Sequence, residues 1–464
     1  MQRAEVILSL LGRKAESDEN FIFRRLYRNL FNPDFYLNAW ARIQERLEQK
    51  PSGLPNCSMD RMKPDWEQVI RQMKAGTYHP KPLFKKQERC DEDFAFRDRL
   101  ILEILRQILE AIYEPHFLET SHGFRPQRNH LTALHTIRTS CQGTNWVIKG
   151  EIKDILHRMD SQLLISLLAR RIDDGRFLDL LNRFIRAGYL KSGGISTDVP
   201  ASFRREDIRF LLVNIYLHEL DRFMKNRSLS TMDARTPMNY LRYAGRFLIC
   251  ISGGKVLAQS IRNDIQTFLQ STLHLDLTGD DIRITHLAKK GVRFLGYEIR
   301  SEKPIPRQSP SDCGKRSAFG NIQLLVPGEV IRQKIRPFIK KGRPVHINSR
   351  IHLSLPDLIH RYHEEMRELY NFYCLAEDVS AKLGKFRYYH YWSLVRTIAR
   401  KEKSSVKKVL DKYGTDIKGI QGTGTKKRIG VKIQAGDGKE KVITYFHAPL
   451  KKRVHPNPVF PPPC

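Results

Sequence analysis

The sequence predicts an α+β fold, and three observations support this prediction. Between Phe96 and Tyr113, apolar residues recur every three or four positions, which is the pattern of a long amphipathic helix. In the middle third, a buried strand beginning at Trp146-Val147-Ile148 is followed by helical patterns, a hairpin over Asn239–Ile251 and further strands. The last third returns to helical spacing. This order favours a mixed α+β layout over a doubly wound parallel sheet.

The other elements follow from the same periodicities. Helices are predicted over Phe21–Leu47 with a break at Asn32-Pro33, and over Trp66–Met73, Ser161–Leu190, Ile208–Met224, Lys255–Leu273, Val330–Ile339, Leu353–Tyr373 and Tyr388–Leu410. Strands are predicted as an edge strand or extended arm at Tyr78–Lys86, as two hairpin arms with Gly245 at the turn, and as a pair formed by Ile282-Arg283-Ile284 and Arg293–Ile299. The stretch Ser301–Lys315, rich in proline, serine and charge, is predicted to be a linker.

The charge of the chain is large and unevenly placed. Its 464 residues include 81 Lys and Arg against 50 Asp and Glu, a formal charge of +31. Residues 331–464 carry 29 Lys and Arg against 11 Asp and Glu, so +18 of that charge lies there. A charge of this size favours a polyanionic partner. No run approaches the ~20 apolar residues of a membrane span, and residues 1–19 fit neither a secretory signal nor a typical organelle presequence. We expect a nucleic-acid-binding protein without a membrane partner, made in the compartment where it acts.

The seven cysteines are scattered, and no two of them lie within four residues of each other. A zinc knuckle built from local pairs is therefore not expected, and neither is a disulfide framework. We expect reduced thiols packed as small apolar groups.

Six collinear blocks resemble the group II intron-encoded reverse transcriptases. The blocks are Phe96-Arg97-Asp98-Arg99-Leu100 through Pro115, Ser121-His122-Gly123-Phe124-Arg125-Pro126-Gln127-Arg128, Gly143-Thr144-Asn145-Trp146, Asn214–Asp221, Arg293-Phe294-Leu295-Gly296-Tyr297, and Arg361–Tyr373 with Tyr388–Lys401. One block alone would be a weak signal, but their order from about Arg24 to about Gly414 makes the resemblance specific.

The resemblance implies a right hand of fingers and palm, followed by an α-helical thumb and maturase region often called domain X. The implied divisions are an N-terminal segment (1–19), fingers (20–142), a palm (143–300), a linker into the thumb (301–329), the thumb with domain X (330–424) and a basic C-terminal tail (425–464). The HNH endonuclease found in some family members is not expected, because the tail is short and its only cysteine is Cys464.

The palm positions depart from the family pattern. Family polymerases hold two Mg²⁺ ions, roughly 3.5–4 Å apart, on an Asp of the first palm strand and on a Tyr-x-Asp-Asp hairpin. Here the hairpin reads Tyr243-Ala244-Gly245-Arg246, so Gly245 and Arg246 replace both carboxylates. Glu151, one methylene longer than Asp, stands at the first-strand position. The loop before Asn214 and the stretch Lys81–Phe96 have also lost family elements. We expect a degenerate polymerase with no catalytic residues and no magnesium cofactor.

Other acids and histidines are weighed against structural roles. Asp280-Asp281 precedes a strand, where Asp is a common turn residue, and Asp160 is placed to cap the helix that follows it. His218 and the pair His360 and His363 have no carboxylate framework and no His-Glu-x-x-His motif. We expect structural or surface positions for all of them, and hence no metal site.

RNA binding is predicted for the thumb and domain X. Arg396, Arg400, Lys403 and Lys407 fall three or four apart within one predicted helix and so form a basic stripe. The predicted RNA-binding residues are Arg361, Lys385, Arg387, Arg396, Arg400, Lys401, Lys403 and Lys407. Cations bind phosphates and aromatic rings stack on unpaired bases.

Several neighbouring residues keep two interpretations. Tyr391 and Trp392 are either core residues or stacking platforms. The clusters Lys426-Lys427-Arg428 and Lys451-Lys452-Arg453 are either phosphate contacts or solubilising charge. Ser393, Thr397 and Lys401 match the maturase signature of the family, and their importance rests on that resemblance alone.

The sequence therefore predicts a group II intron maturase-like RNA-binding protein, a splicing factor in mRNA processing that stabilises the folded intron RNA after reverse transcription has been lost. Two alternatives stay open: a residually active RNA-directed DNA polymerase that uses Glu151 with displaced carboxylates, and a decayed reading frame without present function. The expected partner is the intron or precursor RNA, and a homodimer and additional splicing factors stay open. The expected compartment is the mitochondrion, with the chloroplast as the alternative.

Overall fold

The computed structural model describes residues 2–48, 66–82, 92–189, 207–230, 238–302, 321–417, 426–434 and 440–455. The chain divides into two compact units, one of residues 1–133 and 146–284 and one of residues 134–145 and 285–464. These units do not follow the divisions implied by the family, which stay predictions. Most of the predicted linker, the loop before Asn214 and the end of the tail lie outside the described residues. No helix in the described ranges is long and apolar enough to cross a membrane.

The first unit is mainly helical. Its helices, in chain order, are α1 (Ala4–Ser17), α2 (Pro33–Glu48), α3 (Trp66–Ala75), α4 (Glu92–Tyr113), α5 (His130–Ser140, which continues into the second unit), α6 (Ile155–Arg158), α7 (Ser161–Ala169), α8 (Gly175–Arg186), α9 (Ile208–Ser230) and α10 (Lys255–Leu273). The apolar face predicted for α4 is confirmed, because Ile101, Ile104, Leu105, Ile108 and Ile112 are all fully buried, but polar residues opposite it, such as Glu103 and Arg106, are buried too.

The predicted helix over Phe21–Leu47 is only partly correct. Its first part forms a short strand, β1 (Phe23–Arg24), and a 3-10 helix over Leu26–Phe31. The α-helix starts at Pro33, whose fixed φ suits a first helical position and whose missing N–H costs nothing there. β1 pairs in parallel with β3 (Ile172–Asp173), which also interrupts the helical stretch predicted over Ser161–Leu190.

The sheet of the first unit has the strand order β4-β5-β2-β6. Its strands are β2 (Trp146–Glu151), β4 (Met238–Tyr243), β5 (Arg246–Ile251) and β6 (Ile282–His286). β5 is antiparallel to both β4 and β2, and α9 and α10 pack against β4 and β2. The predicted hairpin is confirmed. Its turn is Ala244-Gly245, and it is Ala244 that adopts a left-handed φ of 53°.

A buried ion pair joins β4, one arm of this hairpin, to α9. The guanidinium of Arg242 on β4 and the carboxylate of Asp221 on α9 are both 0% exposed and are joined by hydrogen bonds of 2.8 and 2.7 Å. Arg242 also donates to Asn214 Oδ1 at 2.9 Å, to Ser121 Oγ at 2.8 Å and to Ala244 O at 3.1 Å. Burial alone would lower the pKa of Arg242, but the charge of Asp221 raises it. The residue is therefore a fully paired buried cation that ties together a strand, a helix and the hairpin turn.

The second unit contains helices and several small sheets. Its helices after α5 are α11 (Gly328–Ile335), α12 (Leu355–Tyr373), α13 (Val379–Lys401) and α14 (Val406–Tyr413). Its strands are β7 (Val292–Phe294), β8 (Tyr297–Ser301), β9 (Ile322–Leu325), β10 (Ile339–Lys340), β11 (Arg343–Pro344), β12 (Gly414–Ile417), β13 (Lys426–Gln434) and β14 (Glu440–Thr444). They form the sheets β7-β8-β9, β10-β11 and β12-β13-β14. The α+β class predicted for the chain is confirmed.

Two sequence predictions in this part of the chain were wrong. Arg293–Ile299 is not one strand paired with Ile282-Arg283-Ile284. It spans the hairpin β7-β8, because Leu295 and Gly296 both have positive φ and turn the chain, while β6 joins the sheet of the first unit. The helix predicted over Tyr388–Leu410 begins earlier, at Val379, and ends at Lys401. Lys403 then has a left-handed φ of 48°, and Ser405 caps α14 by accepting from Lys408 N.

The described part of the basic tail is folded into the second unit. Tyr445 is fully buried, and its hydroxyl lies 3.0 Å from His390 Nδ1 on α13. Farther along, Arg453 N donates to Cys374 O at 2.7 Å, and Tyr370 donates to Lys451 O at 2.8 Å. The strands and the segment after them therefore complete the core around α12 and α13 and are not a free basic extension.

Candidate functional site

The altered palm hairpin brings Arg246 and Glu151 together. The two residues face each other in the antiparallel register of β5 and β2, and Arg246 Nε donates to Glu151 Oε1 at 2.8 Å. Their side chains are 52% and 30% exposed. A guanidinium therefore occupies the carboxylate that would otherwise be free to bind a cation. This donor set does not fit a pair of Mg²⁺ ions, which need several carboxylate oxygens.

The turn itself is closed against the neighbouring strand end. Ile152 N donates to Gly245 O at 2.8 Å, and a Cβ added at Gly245 would lie 2.8 Å from Ile152 O. A side chain at position 245 therefore requires a shift of the backbone, whatever its charge.

The nearby acids have structural partners. Asp281 accepts from Thr278 N and Oγ1 and from Lys153 Nζ, and these hydrogen bonds, Lys153 first, lower its pKa to about 2. Asp280 pairs with Arg283 at 3.2 Å. The turn interpretation of Asp280-Asp281 is confirmed. In the described ranges no group of three or more His, Cys, Asp or Glu residues could hold a metal ion.

The capping and histidine predictions are also confirmed. Asp160 caps α7 by accepting from Gln162 N and Leu163 N. Burial lowers the pKa of His218 to about 4. His363 Nδ1 lies 2.7 Å from Thr444 O, and His360 is exposed. Cys141, Cys250 and Cys374 are buried free thiols, as expected.

A stripe of cations and aromatic rings runs along the exposed side of α13. Successive members are four, three, four and four residues apart, which places them on one helix face. They are Lys385, Tyr389, Trp392, Arg396 and Arg400, and we call them the α13 stripe. Lys385, Arg396 and Arg400 are exposed and form no ion pair among the described residues, while Tyr389 and Trp392 are half-buried. The stripe is about 22 Å long, since each helical residue adds 1.5 Å.

The other predicted RNA-binding residues lie apart from this stripe. Lys403 and Lys407 are exposed but lie beyond the end of α13, so the stripe predicted through them was wrong. Arg361 on α12 lies 3.6 Å from Glu365. Arg387 is half-buried on another side of α13, where burial and the nearby Arg428 lower its pKa. The ammonium of Lys401 donates to Ile351 O at 2.9 Å.

The aromatic residues divide between the two interpretations. Tyr391 packs against the buried Tyr445 with ring centroids 5.3 Å apart and lies under Arg428, which fits the core interpretation. Trp392 belongs to the exposed stripe. The spacing of the stripe is present in the sequence. The predicted helix starts and ends too late, because the start at Val379 and the cap at Ser405 have weak sequence signals, so the predicted stripe includes Lys403 and Lys407 beyond the end of α13.

A buried polar network centres on His390 of α13. His390 Nε2 lies 3.0 Å from Glu365, which also accepts from Arg350 at 2.6 and 2.9 Å. Burial alone would raise the pKa of Glu365, but the hydrogen bonds from His390 and Arg350 lower it to about 2. Burial also lowers the pKa of His390. Neutral His390 therefore donates to an ionised Glu365 and accepts from Tyr445.

Acidification is expected to destabilise the second unit through this network. Both folded pKa values lie below the unfolded ones, so both contributions are complete above the unfolded pKa and are lost as the pH falls. The loss begins below about pH 6.5 for His390 and below about pH 4.3 for Glu365. Urea unfolding at about pH 7.5 and about pH 5.5 measures the first step. His390→Gln should reduce this difference in the free energy of unfolding, and the exposed control His360→Gln should not. An equal difference between the two pH values in both variants would contradict the assignment.

Comparison with known proteins agrees with this arrangement. The family model for the type II intron maturase matches residues 323–452, which include α12, α13 and β14. The group II intron-encoded protein LtrA of Lactococcus lactis subsp. cremoris is 29% identical over 487 aligned residues, covering 89% of this chain and 80% of LtrA. The chain is therefore similar to a group II intron-encoded protein over most of its length. The α13 stripe lies within the segment that matches the maturase model, and this match extends to Lys452, into the segment predicted as a separate tail.

Two further similarities were found. The uncharacterized mitochondrial protein ymf11 of Marchantia polymorpha is 35% identical over 233 residues, covering 40% of this chain and 30% of that protein. A telomerase structure from Candida albicans, in complex with a fragment of telomeric RNA, aligns with a TM-score of 0.37 and 12% identity, covering 74% of this chain and 50% of that chain.

Proposed function

We propose that this protein is a group II intron maturase that binds RNA and promotes splicing by stabilising the folded intron RNA, and that it no longer synthesises DNA. The observation that carries the proposal is the α13 stripe. Three exposed cations, which form no ion pair among the described residues, flank two aromatic rings on one face of a helix in the segment that matches the maturase model. Cations neutralise phosphates, and rings stack on unpaired bases, so the stripe matches the two features that a structured RNA presents.

The loss of DNA synthesis is supported by the Glu151–Arg246 ion pair. A polymerase must hold metal ions at the developing charges of phosphoryl transfer. Glu151, the acid at the first-strand position, accepts from a permanent cation, and a side chain at position 245 would require a shift of the backbone. The protein's role in splicing is then to bind and position RNA, while the RNA performs its own phosphoryl transfer.

The partner and compartment follow from the same proposal. The partner is the precursor RNA that contains the group II intron. The mitochondrion is the proposed compartment, and the similarity to a mitochondrial protein of Marchantia polymorpha supports it. Sequencing RNA crosslinked to the protein in isolated organelles would identify the intron; crosslinks only to chloroplast transcripts would contradict the mitochondrial assignment.

Primer extension tests the loss of DNA synthesis. The purified full-length chain is expected to extend no DNA primer on an RNA template, with Mg²⁺ or with Mn²⁺, because Gly245 and Arg246 carry no carboxylate and Glu151 is paired with Arg246. An active reverse transcriptase on the same template is the positive control. Templated DNA in the reaction of the purified chain would overturn this part of the proposal.

RNA binding is tested by salt titration. Affinity for a structured intron RNA should fall steeply and linearly on a logarithmic salt scale, because phosphate contacts release counterions. A flat salt response would contradict binding through the basic surface.

A further inference from the structure

A small hairpin of the second unit presents cations that no sequence motif had singled out. β10 and β11 pair through Ile339 with Pro344 and Lys340 with Arg343. The two turn residues, Lys341 and Gly342, have φ values of 50° and 75°, the left-handed pair that a type I′ turn requires. The side chains of Lys340, Lys341 and Arg343 are all exposed, and among the described residues none of them forms an ion pair. The hairpin therefore carries three exposed cations, two on its strands and one in its turn.

The base of this hairpin is fixed in the core. Phe338, which precedes β10, is buried against His390 with ring centroids 4.7 Å apart. Val345 N, directly after β11, donates to Phe338 O at 3.0 Å and closes the loop. Arg350 then anchors the following segment through its two hydrogen bonds to Glu365.

Three residues of α13 hold the segment that follows the hairpin. Ser393 Oγ donates to Val345 O at 2.6 Å, Ile347 N donates to Thr397 Oγ1 at 3.0 Å, and Lys401 Nζ donates to Ile351 O at 2.9 Å. Successive members are four residues apart, so they lie on one side of the helix. We call Ser393, Thr397 and Lys401 the clamp. These are the residues that the maturase resemblance had marked without a physical role.

The clamp lies beside the α13 stripe. Arg396 and Arg400 each follow a clamp residue by three positions, so the stripe and the clamp occupy neighbouring helix faces. β11 packs against α13 as well. Phe338 packs on Phe386 and His390, and Ser393 holds Val345, so the base of the hairpin lies beside the middle of the stripe. Ser393 and Thr397 themselves are 0% exposed and cannot contact RNA.

We infer that the hairpin Ile339–Pro344 is a second RNA-contact surface, which binds the phosphates of double-stranded RNA, and that Ser393, Thr397 and Lys401 are its positioning residues. The inference rests on the proposed function. It assigns a duplex to the hairpin because the hairpin strands and turn hold cations but no aromatic ring, so they have nothing on which an unpaired base would stack. The backbone of a duplex presents phosphates on a regular surface, and a hairpin that is fixed at its base can match this surface.

Removal of the three hairpin cations tests the surface. The full-length variant K340A/K341A/R343A is compared with K255A/K289A/K290A, which removes three exposed cations elsewhere. The probes are a perfectly paired RNA duplex and an oligouridylate strand of equal length. Duplex affinity of the hairpin variant should fall on the order of 100-fold at 0.15 M salt, with the salt slope smaller by about 2 to 3. Affinity for oligouridylate should change much less, and the control should match the unmodified protein.

The other possible outcomes of this binding experiment would each contradict a different statement. Duplex binding by the hairpin variant equal to that of the control would overturn the inference and leave the proposed function standing. An equal loss on both probes would overturn the assignment to a duplex. Failure of the unmodified protein to bind the duplex would also overturn the inference, whereas failure to bind the structured intron RNA of the salt titration would overturn the proposed function itself.

The clamp is tested by non-additivity. S393A/T397V should weaken duplex binding in the unmodified protein but cause no further loss in the K340A/K341A/R343A background, because its effect passes through the hairpin. T397S, which keeps the hydroxyl, should retain binding. A similar loss in both backgrounds would show a general effect on folding and overturn the positioning role.

Discussion

Replacing Asp221 with alanine is expected to lower the free energy of unfolding of the first unit by about 3–5 kcal/mol, because the guanidinium of Arg242 would be left buried without its counter-charge. The remaining partners of Arg242, including Ser121 and Asn214, supply hydrogen bonds but no negative charge. Urea unfolding followed by circular dichroism measures the loss. Hydrogen exchange of β4 and α9 would locate it in the first unit.

The control for this experiment is an exposed ion pair of the same unit. Arg24 and Asp173 are 2.9 Å apart with side chains 70% and 64% exposed. Asp173→Ala should cost less than about 1 kcal/mol, because solvent screens the pair. Comparable losses from Asp221→Ala and Asp173→Ala would contradict the importance given to the buried pair.

Reversing the three charges of the α13 stripe is expected to abolish specific RNA binding. The variant K385E/R396E/R400E replaces attraction to phosphates with repulsion at three points along one helix face. We expect the affinity for RNA to fall by about 100-fold or more at physiological salt. Filter binding or fluorescence anisotropy with a structured intron RNA measures the change. Splicing of that intron, assayed with the same protein, should fall in parallel.

Two controls separate a local effect from a general change of charge. K255E/K289E/K290E makes the same change in net charge at exposed positions outside the stripe and should retain most of the affinity. Arg246→Ala removes the cation of the palm and should leave RNA binding unchanged. Equal losses of RNA affinity in K385E/R396E/R400E, K255E/K289E/K290E and Arg246→Ala would contradict the assignment of RNA binding to α13 and not to the palm.

The sequence predicted most of the regular structure because its elements have strong local signals. The apolar face of α4, the limits of α10 and the hairpin with Gly245 in its turn follow from periodicity and turn chemistry alone. Where prediction failed, a local signal was weak or was read at the wrong position. The left-handed Lys403 and the cap at Ser405 end α13 early, and Leu295-Gly296 turns what had been predicted as one strand.

The candidate site was only partly predictable, because its contacts join distant parts of the chain. The departure of Gly245 and Arg246 from the family pattern is visible in the sequence, but the pairing of Arg246 with Glu151 depends on strand register. The partners of Arg242 and the carbonyls held by Ser393 and Lys401 come from other elements and leave no periodic pattern. The cations of the hairpin Ile339–Pro344 are visible in the sequence, but only the strand pairing and the turn between the strands bring these residues together.

The contact between Gly245 and Ile152 bears on how this protein can evolve. An acidic residue arising at position 245 would meet a carbonyl oxygen 2.8 Å from its first side-chain carbon, so the backbone would have to retreat before the new charge could serve any purpose. A lineage that carries Gly245 would need a second, independent change before an acidic residue at this position is tolerated. A single mutation cannot place an acidic side chain in this turn without moving its backbone.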